Sequence, residues 1–495
     1  MQINIPLMKK FFSLLFVLMV LTIHGNIYAQ SNNIQRYIDR LMRDTLFTDA
    51  VVGIMVMDSD GRTVASWNPD MPLLTASTMK TITTGIALTV LGDEYRFSTR
   101  LGHTGFIENG TLYGDLYIVG GGDPTLGSRD TLAVPVDTLF SQWHQYVSAA
   151  GINRINGSIV ADDRFFEPEI IPESWSWSNI GTSFGNGPSG LSFLENLQYF
   201  KFIPGSNIGD KVFLHSVFPE VPDMEYRNNL VTAGSRTGDR SSYYISDLSR
   251  VGSFSGTLPT ARDTISITVS NKFPQISCAY EFREYLARNG VLSENTVKSV
   301  RDFEAAPEEE LKIIGVTLSP SLTSIVNVTN RISNNFYAET LFKTVGKVIT
   351  MHGSYDSSAV AAAKILTEMG LKTRGYTQVD GSGLSRQDYV SPRFFCNYFT
   401  AMKESPYFDI FFNSLPQPGH PGTLQNVLSR VNIKDKSRIH AKSGSLANVR
   451  CYAGYVESHS GKNMLTFAIM TNNYSAKTAQ MQVGIEEFMK QLIEF

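Results

Sequence analysis

Residues 73–97 read LLTASTMKTITTGIALTVLGDEYRF. Met79, Ile82, Ile86 and Val90 recur at helical spacings and Gly92 follows the last of them, which predicts an amphipathic helix ended by glycine. Ser77 and Lys80 stand at its start, three residues apart, so their side chains stack one turn apart on one face. A hydroxyl is a weak nucleophile without a base beside it. Lysine becomes that base only when its pKa falls from about 10.4 toward neutrality, through burial or neighbouring cations. Among all the lysines of the chain, Lys80 alone has a serine three residues before it. The competing reading of the same spacing is a plain helix start capped by Ser77 or Thr75, with Lys80 in solvent.

On the N-terminal side of this stretch, IQRYIDRLMRD (34–44) reads as a helix, and AVVGIMVMD (50–58), the turn DSDGR and TVASW (63–67) read as a hairpin. Beyond it, from about Arg96 to Glu310, the texture changes to short alternating runs broken by Gly, Pro, Asn and Asp, among them GTLYGDLYIVGGGDPTL, NGSIVADDRFF, QYFKFIPGSNIGDKVFL and DTISITVSN. This predicts a β-rich block, divisible into two subdomains. Helical patterning returns in 321–349 and 357–370. The stretch 442–473 reads as a hairpin with its turn at His459 to Lys462, and AQMQVGIEEFMKQLIEF (479–495) as an amphipathic helix. The expectation is an α+β, multidomain chain whose two ends form one domain interrupted by the β-rich block.

The 495 residues are 42% hydrophobic and 18% charged, enough apolar material for large cores. Forty-three Lys+Arg against 46 Asp+Glu leave a net charge of −3, too balanced for a protein that neutralises nucleic-acid phosphates, so no nucleic-acid partner is expected. Lys9 and Lys10 precede the apolar run Phe11 to Ile23, which leads to small and polar residues around Ala29. That is the pattern of a secretory signal peptide over 1–29, and the run falls short of the roughly 20 residues that span a bilayer. An uncleaved anchor is the alternative, since Ile27 is unusual three residues before a cut. Cys278, Cys396 and Cys451 are widely separated and none has CxxC spacing; buried free thiols are expected, one bridge between two of them being the alternative, with no metal site and no cofactor.

Two further motifs lie downstream. Lys442, Ser443 and Gly444 form the chain's single Lys-[Ser/Thr]-Gly, at the opening of a strand. The lysine can bring a second positive charge over a site, the glycine lets a substrate backbone come close, and the strand can pair with an extended peptide. Ser333 and Asn335 form Ser-x-Asn in a helix-forming stretch, a pattern that also occurs at Ser31/Asn33 and Ser293/Asn295. What distinguishes it is order: Ser-x-x-Lys, then Ser-x-Asn on a helix, then Lys-Ser-Gly on a strand, a set known from serine β-lactamases and penicillin-binding proteins.

With EYRFSTRL, GTLYGDLYIVGGGDPTL, ESWSWSN before GPSGLSF, DGSGLSR (380–386) and LPQPGHPGTL ahead of KSGSLANVRCYAGYV, the chain resembles the D-alanyl-D-alanine carboxypeptidase/endopeptidase family of low-molecular-mass class C penicillin-binding proteins. The resemblance covers nearly the whole mature chain. The long interval between Ser77 and Ser333 fits it, because this family carries large inserted domains there.

The resemblance implies a penicillin-binding transpeptidase-like (serine β-lactamase-like) catalytic domain over 31–95 and 315–495. An inserted domain would occupy 96–175 and 290–314, with a nested β-rich domain over 176–289. It also implies Ser77 as acylating nucleophile, Lys80 as its base, Ser333 as proton relay to the leaving amine, Lys442 tuning that hydroxyl, and Asn335 bonding the substrate amide. The backbone N–H groups of Ser77 and Ser445 would form the oxyanion hole. Ser443, Gly444 and Ser445 would line the substrate, with the two hydroxyls on its terminal carboxylate. Ser443 stands where threonine is usual, which keeps the hydroxyl.

The implied activity is serine DD-peptidase action on peptidoglycan stem peptides, as carboxypeptidase and as endopeptidase on D-alanyl cross-links, with β-lactams as acylating inhibitors. The competing readings are a serine β-lactamase and an inert cell-wall-binding scaffold. Among other motifs, GTSFG (181–185) fits GxSxG but lacks a strand-to-helix setting around Ser183. Gly120 to Gly122 reads as a turn, Glu308 to Glu310 as a solvated face, and Trp175 with Trp177 as packing for the inserted domains.

Overall fold

Val51–Met57 is apolar at almost every position, the pattern of a strand covered on both faces, and that placement organises the molecule. In the computed structural model, which describes residues 33–261, 263–303, 310–459 and 463–494, this strand pairs antiparallel with Met464–Asn472 from the other end of the chain, Val51 opposite Asn472 and Met57 opposite Thr466. The sheet order is Thr63–Trp67, Val51–Met57, Met464–Asn472, Val449–Glu457, Ile439–Leu446. The expected signal peptide lies outside the described residues, as do parts of the His459–Lys462 turn and of Glu308–Glu310.

Side chains alternate across this sheet. Val52, Ile54 and Val56, with Phe467 and Ile469, face a core closed by helix 33–41 and helix Thr478–Ile493 through Ile34, Ile38, Met481, Ile485 and Phe488. Met55, Met57, Ala468 and Met470 face a larger core shared by helices Met79–Leu91, Leu322–Arg331, Asn335–Thr350, Tyr355–Glu368 and Pro392–Lys403. Helix Met79–Leu91 departs from its expected amphipathic character. Met79 through Leu88 are all buried, polar Lys80, Thr81, Thr83 and Thr84 included, because neighbours surround this helix. Gly92 ends it with φ +81 and its N–H on the Leu88 carbonyl.

The interrupting block contains two bodies. In the first, Ser98–His103 pairs with Leu116–Val119 on one side and with Lys312–Leu318 on the other, so the chain's exit from and return to the terminal domain run side by side. Helices Val136–Ala149 and Pro274–Arg288 fill its core with Phe140, Trp143, Phe282 and Leu286, Phe282 meeting Trp143 edge-on at 5.2 Å. These helices differ from the expectation of a β-rich block. Leu139, Phe140, Trp143 and Val147 carry a helical spacing that the surrounding alternation masks. Pro274–Arg288 also packs with this first body, where the sequence reading put it inside the nested unit 176–289, because its apolar face needs Trp143. The second body joins two three-stranded sheets around Phe200, Phe202, Phe254 and Leu258.

Candidate active site

The turn that carries Ser77 begins at the short strand Leu73–Leu74, passes Thr75 and Ala76, makes one 3₁₀ turn over Ala76–Thr78, and enters helix Met79–Leu91. Ala76 has φ +45, a left-handed conformation costly for a residue with a Cβ. The carbonyl of Ala76 lies against Gly383, itself at φ +77, where a Cβ would come within 1.9 Å of it. Thr75 makes no capping bond. The plain capped helix start therefore gives way to a turn gripped from below. Ser77 is half-buried and Lys80 fully buried, where the bland reading put it in solvent.

Lys80 Nζ lies 2.8 Å from Ser77 Oγ, 2.7 Å from Asn335 Oδ1 and 2.9 Å from the Ser382 carbonyl. Burial pulls its pKa down to about 8, against the opposing pull of Glu339, Asp380 and Asp388. Two of its three partners are carbonyl oxygens, which only accept. Once the amine is neutral its two N–H bonds have those oxygens to serve, and its lone pair is left for the Ser77 hydroxyl proton.

Ser333 and Asn335 arrive differently from the expected continuous helix. Helix Leu322–Arg331 stops, Ser333 turns left-handed at φ +63, and Asn334 caps the next helix, Asn335–Thr350, its Oδ1 accepting from Tyr337 N at 3.0 Å. The break points Asn335 Oδ1 at Lys80 and lets Asn335 Nδ2 donate to the Phe184 carbonyl at 3.0 Å. Lys442, fully buried in strand Ile439–Leu446, donates to Ser333 Oγ at 2.8 Å and to the Ser443 carbonyl at 3.0 Å. Burial, with Lys80 and Arg450 nearby, holds its pKa well below the ordinary lysine value.

Gly444 is explained by the protein's own backbone. A Cβ there would lie 2.5 Å from the Thr75 carbonyl and 3.1 Å from Ser77 N, so glycine lets this strand cross directly over the Ser77 turn. Ser443 is half-buried and Ser445 exposed on the same strand. Three remote motifs thus meet at one place as two hydrogen-bonded Ser–Lys pairs, Ser77 with Lys80 and Ser333 with Lys442, with Asn335 accepting from Lys80.

Sequence reasoning missed the layer beneath them. Glu339, buried in helix Asn335–Thr350 one turn after Asn335, accepts from Gly381 N and Ser382 N, both at 2.8 Å. Asp380 accepts from the amides of Ser382, Gly383 and Ser385, and from Trp175 Nε1 at 2.8 Å. Together they hold the loop whose Ser382 carbonyl faces Lys80. Burial raises Glu339 to about 8, Asp380 adding to the effect, while the two amide donors favour its ionised form. DGSGLSR stood out only among the segments that carry the family resemblance, and nothing in its spacing told which carboxylate it would wrap.

Of the remaining motifs, Ser183 is exposed in a turn with no helix after it, and the neighbouring Phe184 carbonyl is what reaches the site. Gly122 turns with φ +78. Trp175 is buried between the block and the site loop near Leu384 and Leu446, whereas Trp177 is 59% exposed and does not pack the domains together. All three cysteines are buried free thiols.

A buried lysine of lowered pKa on one hydroxyl and a second lysine on another can move a proton off a nucleophile and onto a leaving group, which is the requirement of acyl transfer. Comparison with known proteins agrees. Residues 34–492 match the D-Ala-D-Ala carboxypeptidase 3 (S13) family. The D-alanyl-D-alanine carboxypeptidase of Actinomadura sp. (strain R39) is 26% identical over 90% of this chain and 82% of that protein. The D-alanyl-D-alanine carboxypeptidase DacB of Haemophilus influenzae is 24% identical over 83% of each chain. The crystal structure of penicillin binding protein 4 (dacB) from Haemophilus influenzae shares the fold, with a TM-score of 0.80, 22% identity and coverage of 92% of this chain and 99% of that one. A second structure of that protein, complexed with a novel β-lactam, has a TM-score of 0.75 and 21% identity over 92% of this chain and 98% of that one.

Proposed function

Because this chain belongs to the D-Ala-D-Ala carboxypeptidase 3 (S13) family and is a serine DD-peptidase, we propose that Ser77 is the residue its substrate acylates. The observation that carries this reading is the 2.8 Å contact between Ser77 Oγ and a fully buried Lys80 whose other two partners are carbonyl oxygens. Lys80, as neutral amine, takes the Ser77 proton while Oγ bonds to the carbonyl carbon of the penultimate D-alanine. The C–N bond to the terminal residue then breaks as Ser333, held by Lys442, gives its hydroxyl proton to the leaving nitrogen and is refilled with the proton that Lys80 took from Ser77, which leaves Lys80 neutral again. Water releases the acyl group from Ser77 and completes hydrolysis.

Asn335 bonds the substrate amide, and the Ser77 and Ser445 amides hold the carbonyl oxygen as it gains charge. Loss of one such donor costs about 10² to 10³ in rate. Ser443 and Ser445 hydroxyls receive the terminal carboxylate, with Gly444 between them. When the leaving amine belongs to a neighbouring stem peptide the same steps cut a D-alanyl cross-link, so the reading includes endopeptidase action. β-Lactams, bound by the Haemophilus influenzae relative, acylate Ser77 by opening their ring amide. The substrate is peptidoglycan, which places the working protein outside the cytoplasmic membrane, exported by residues 1–29.

The test is an intact-mass time course with benzylpenicillin, run beside Ser77→Ala. A persistent single adduct on the parent alone supports the reading. Acylation of Ser77→Ala, or no adduct on a folded parent, overturns it, and rapid turnover of penicillin assigns a β-lactamase instead.

A further inference from the structure

Leu194, Glu195 and Asn196 have φ of +53, +55 and +52, three successive non-glycine residues in the left-handed region. L-residues visit that region singly because each Cβ crowds the following carbonyl, so a whole left-handed turn persists only where its surroundings over-determine it. Here they do. Leu194 is buried in the core of the first inserted body, and its N–H donates to the Leu126 carbonyl at 3.0 Å. Asn196 is fully buried, its Nδ2 on the Gly187 carbonyl at 2.8 Å and its Oδ1 accepting from Phe193 N at 3.1 Å. Asn186 Nδ2 holds the carbonyl of Glu195 itself.

With its neighbours pointing inward, the middle residue points out of the inserted body toward the catalytic motif. Glu195 Oε2 accepts from Asn334 Nδ2 at 2.9 Å, and Oε1 accepts from Ser128 Oγ at 2.5 Å. Asn334 is the residue between Ser333 and Asn335. Its amide oxygen caps Tyr337 N, so the bond from its nitrogen to Glu195 fixes which way the amide faces. Ser128 is in turn approached by Tyr337 Oη at 3.4 Å, which ties Glu195 to the first turn of the same helix twice.

We propose that Glu195 is a positioning residue for acylation: the strained left-handed turn delivers its carboxylate to Asn334, and through Asn334 it sets Ser333 and Asn335 against Lys442 and Lys80. The inserted body is then a working part of the catalytic site. The proposal rests on the roles given above to Ser333 and Asn335. Glu195 touches neither substrate nor the reacting atoms; it acts by keeping Ser333 left-handed and Asn334 as cap.

The experiment measures the benzylpenicillin acylation rate constant per titrated active site for the parent, Glu195→Ala, Glu195→Gln, Asn334→Ala and the double variant Glu195→Ala/Asn334→Ala. Glu195→Ala is expected to be about 10- to 100-fold slower, since a misplacement of about 1 Å costs on that order. Glu195→Gln, whose amide oxygen still accepts from Asn334, recovers the rate to within about threefold of the parent. The double variant is no slower than the worse single one, because both act through one contact.

A residue that merely stabilises the fold would lower the titrated fraction and leave the rate per site alone. Parental rates in Glu195→Ala, effects that multiply in the double variant, or a Gln variant as slow as Ala overturn the proposal. Hydrogen exchange at the Tyr337 amide gives a readout independent of penicillin: it accelerates in Glu195→Ala while the middle of the helix stays protected, and unchanged exchange also overturns the proposal. A parent that is never acylated defeats the reading of Ser77 and leaves the Tyr337 amide to decide on Glu195. Should Glu195→Ala not fold, Glu195→Asp, one methylene too short for Asn334, takes its place.

Discussion

Lys80 donates to three oxygens and only one of them, Ser77 Oγ, carries a proton it can return. Burial brings the pKa to about 8, so at neutral pH roughly a tenth of the molecules hold the neutral amine that the proposed acylation uses. The acylation rate by benzylpenicillin is therefore expected to climb about tenfold per pH unit below about 8 and to level above it, as followed by intact mass or quenched flow. A rate flat from pH 6 to 8 would contradict Lys80 as base. Lys80→Arg keeps the charge but cannot lose the proton, and should lower the acylation rate by about 10² to 10⁴. Glu339→Gln takes one acceptor from the Gly381–Ser382 amides that hold the Ser382 carbonyl against Lys80. The loosened loop lowers the plateau of the profile.

At the scale of elements, the decisive feature is how closely backbone segments approach the Ser77 turn. Strand Ile439–Leu446 crosses it at Gly444, and the loop at Gly383 supports it from the opposite side. Gly444→Ala would drive a Cβ to 2.5 Å from the Thr75 carbonyl, so the strand must shift. Over-packing of this kind costs about 1–3 kcal/mol, and the expected outcome is a lower unfolding midpoint together with a larger loss of acylation, because Lys442 moves with the strand. Denaturant titration and the intact-mass assay check the two parts separately. The helix break at Ser333 is the other element-scale device, for a continuous helix would turn Ser333 away from Lys442. Helical periodicity in 321–349 was plain, yet the break was not legible there, since neither Ser nor Asn interrupts a helical sequence pattern as Gly or Pro would, and the left-handed φ of +63 at Ser333 shows only in the structure.

Across the whole molecule, several lysines are taken out of water where the inserted bodies meet the site. Lys343 is buried with its ammonium on the Glu169 carbonyl at 2.6 Å, and Lys272 is buried with its ammonium on the Gly185 carbonyl at 2.9 Å, one residue from the carbonyl that meets Asn335. Burial lowers Lys272 to about 7, against 10.5 for a free lysine. Between those values the unfolded chain binds more protons than the folded one, so this group makes stability rise with pH, by up to about 1.4 kcal/mol per pH unit. The penalty is present in full below about 7 and gone above 10.5. Lys272→Met should flatten the increase in thermal midpoint between pH 7 and 9 relative to the parent, and an unchanged slope would show that Lys272 titrates normally.

What the sequence by itself determined is local or covalent. Ser77 and Lys80 had to share a helix face because backbone periodicity puts residues three apart together, and the near-continuous apolar run of Val51–Met57 already marked a strand. The order of the three motifs, with the resemblance it carried, named the residues that meet. Only the tertiary structure decided what those residues can do. Lys80 owes its lowered pKa to burial and is held by partners 255 and 302 positions away, Lys442 finds Ser333 across 109, and Glu195 reaches Asn334 across 139. Desolvation and hydrogen-bond polarity depend on which remote segments pack around a group, and periodicity along the chain encodes no such neighbour. For the same reason the layer of Glu339, Asp380 and Glu195 stayed hidden: a carboxylate in a helix or a turn reads as solvated until a fold buries it against amides that need it.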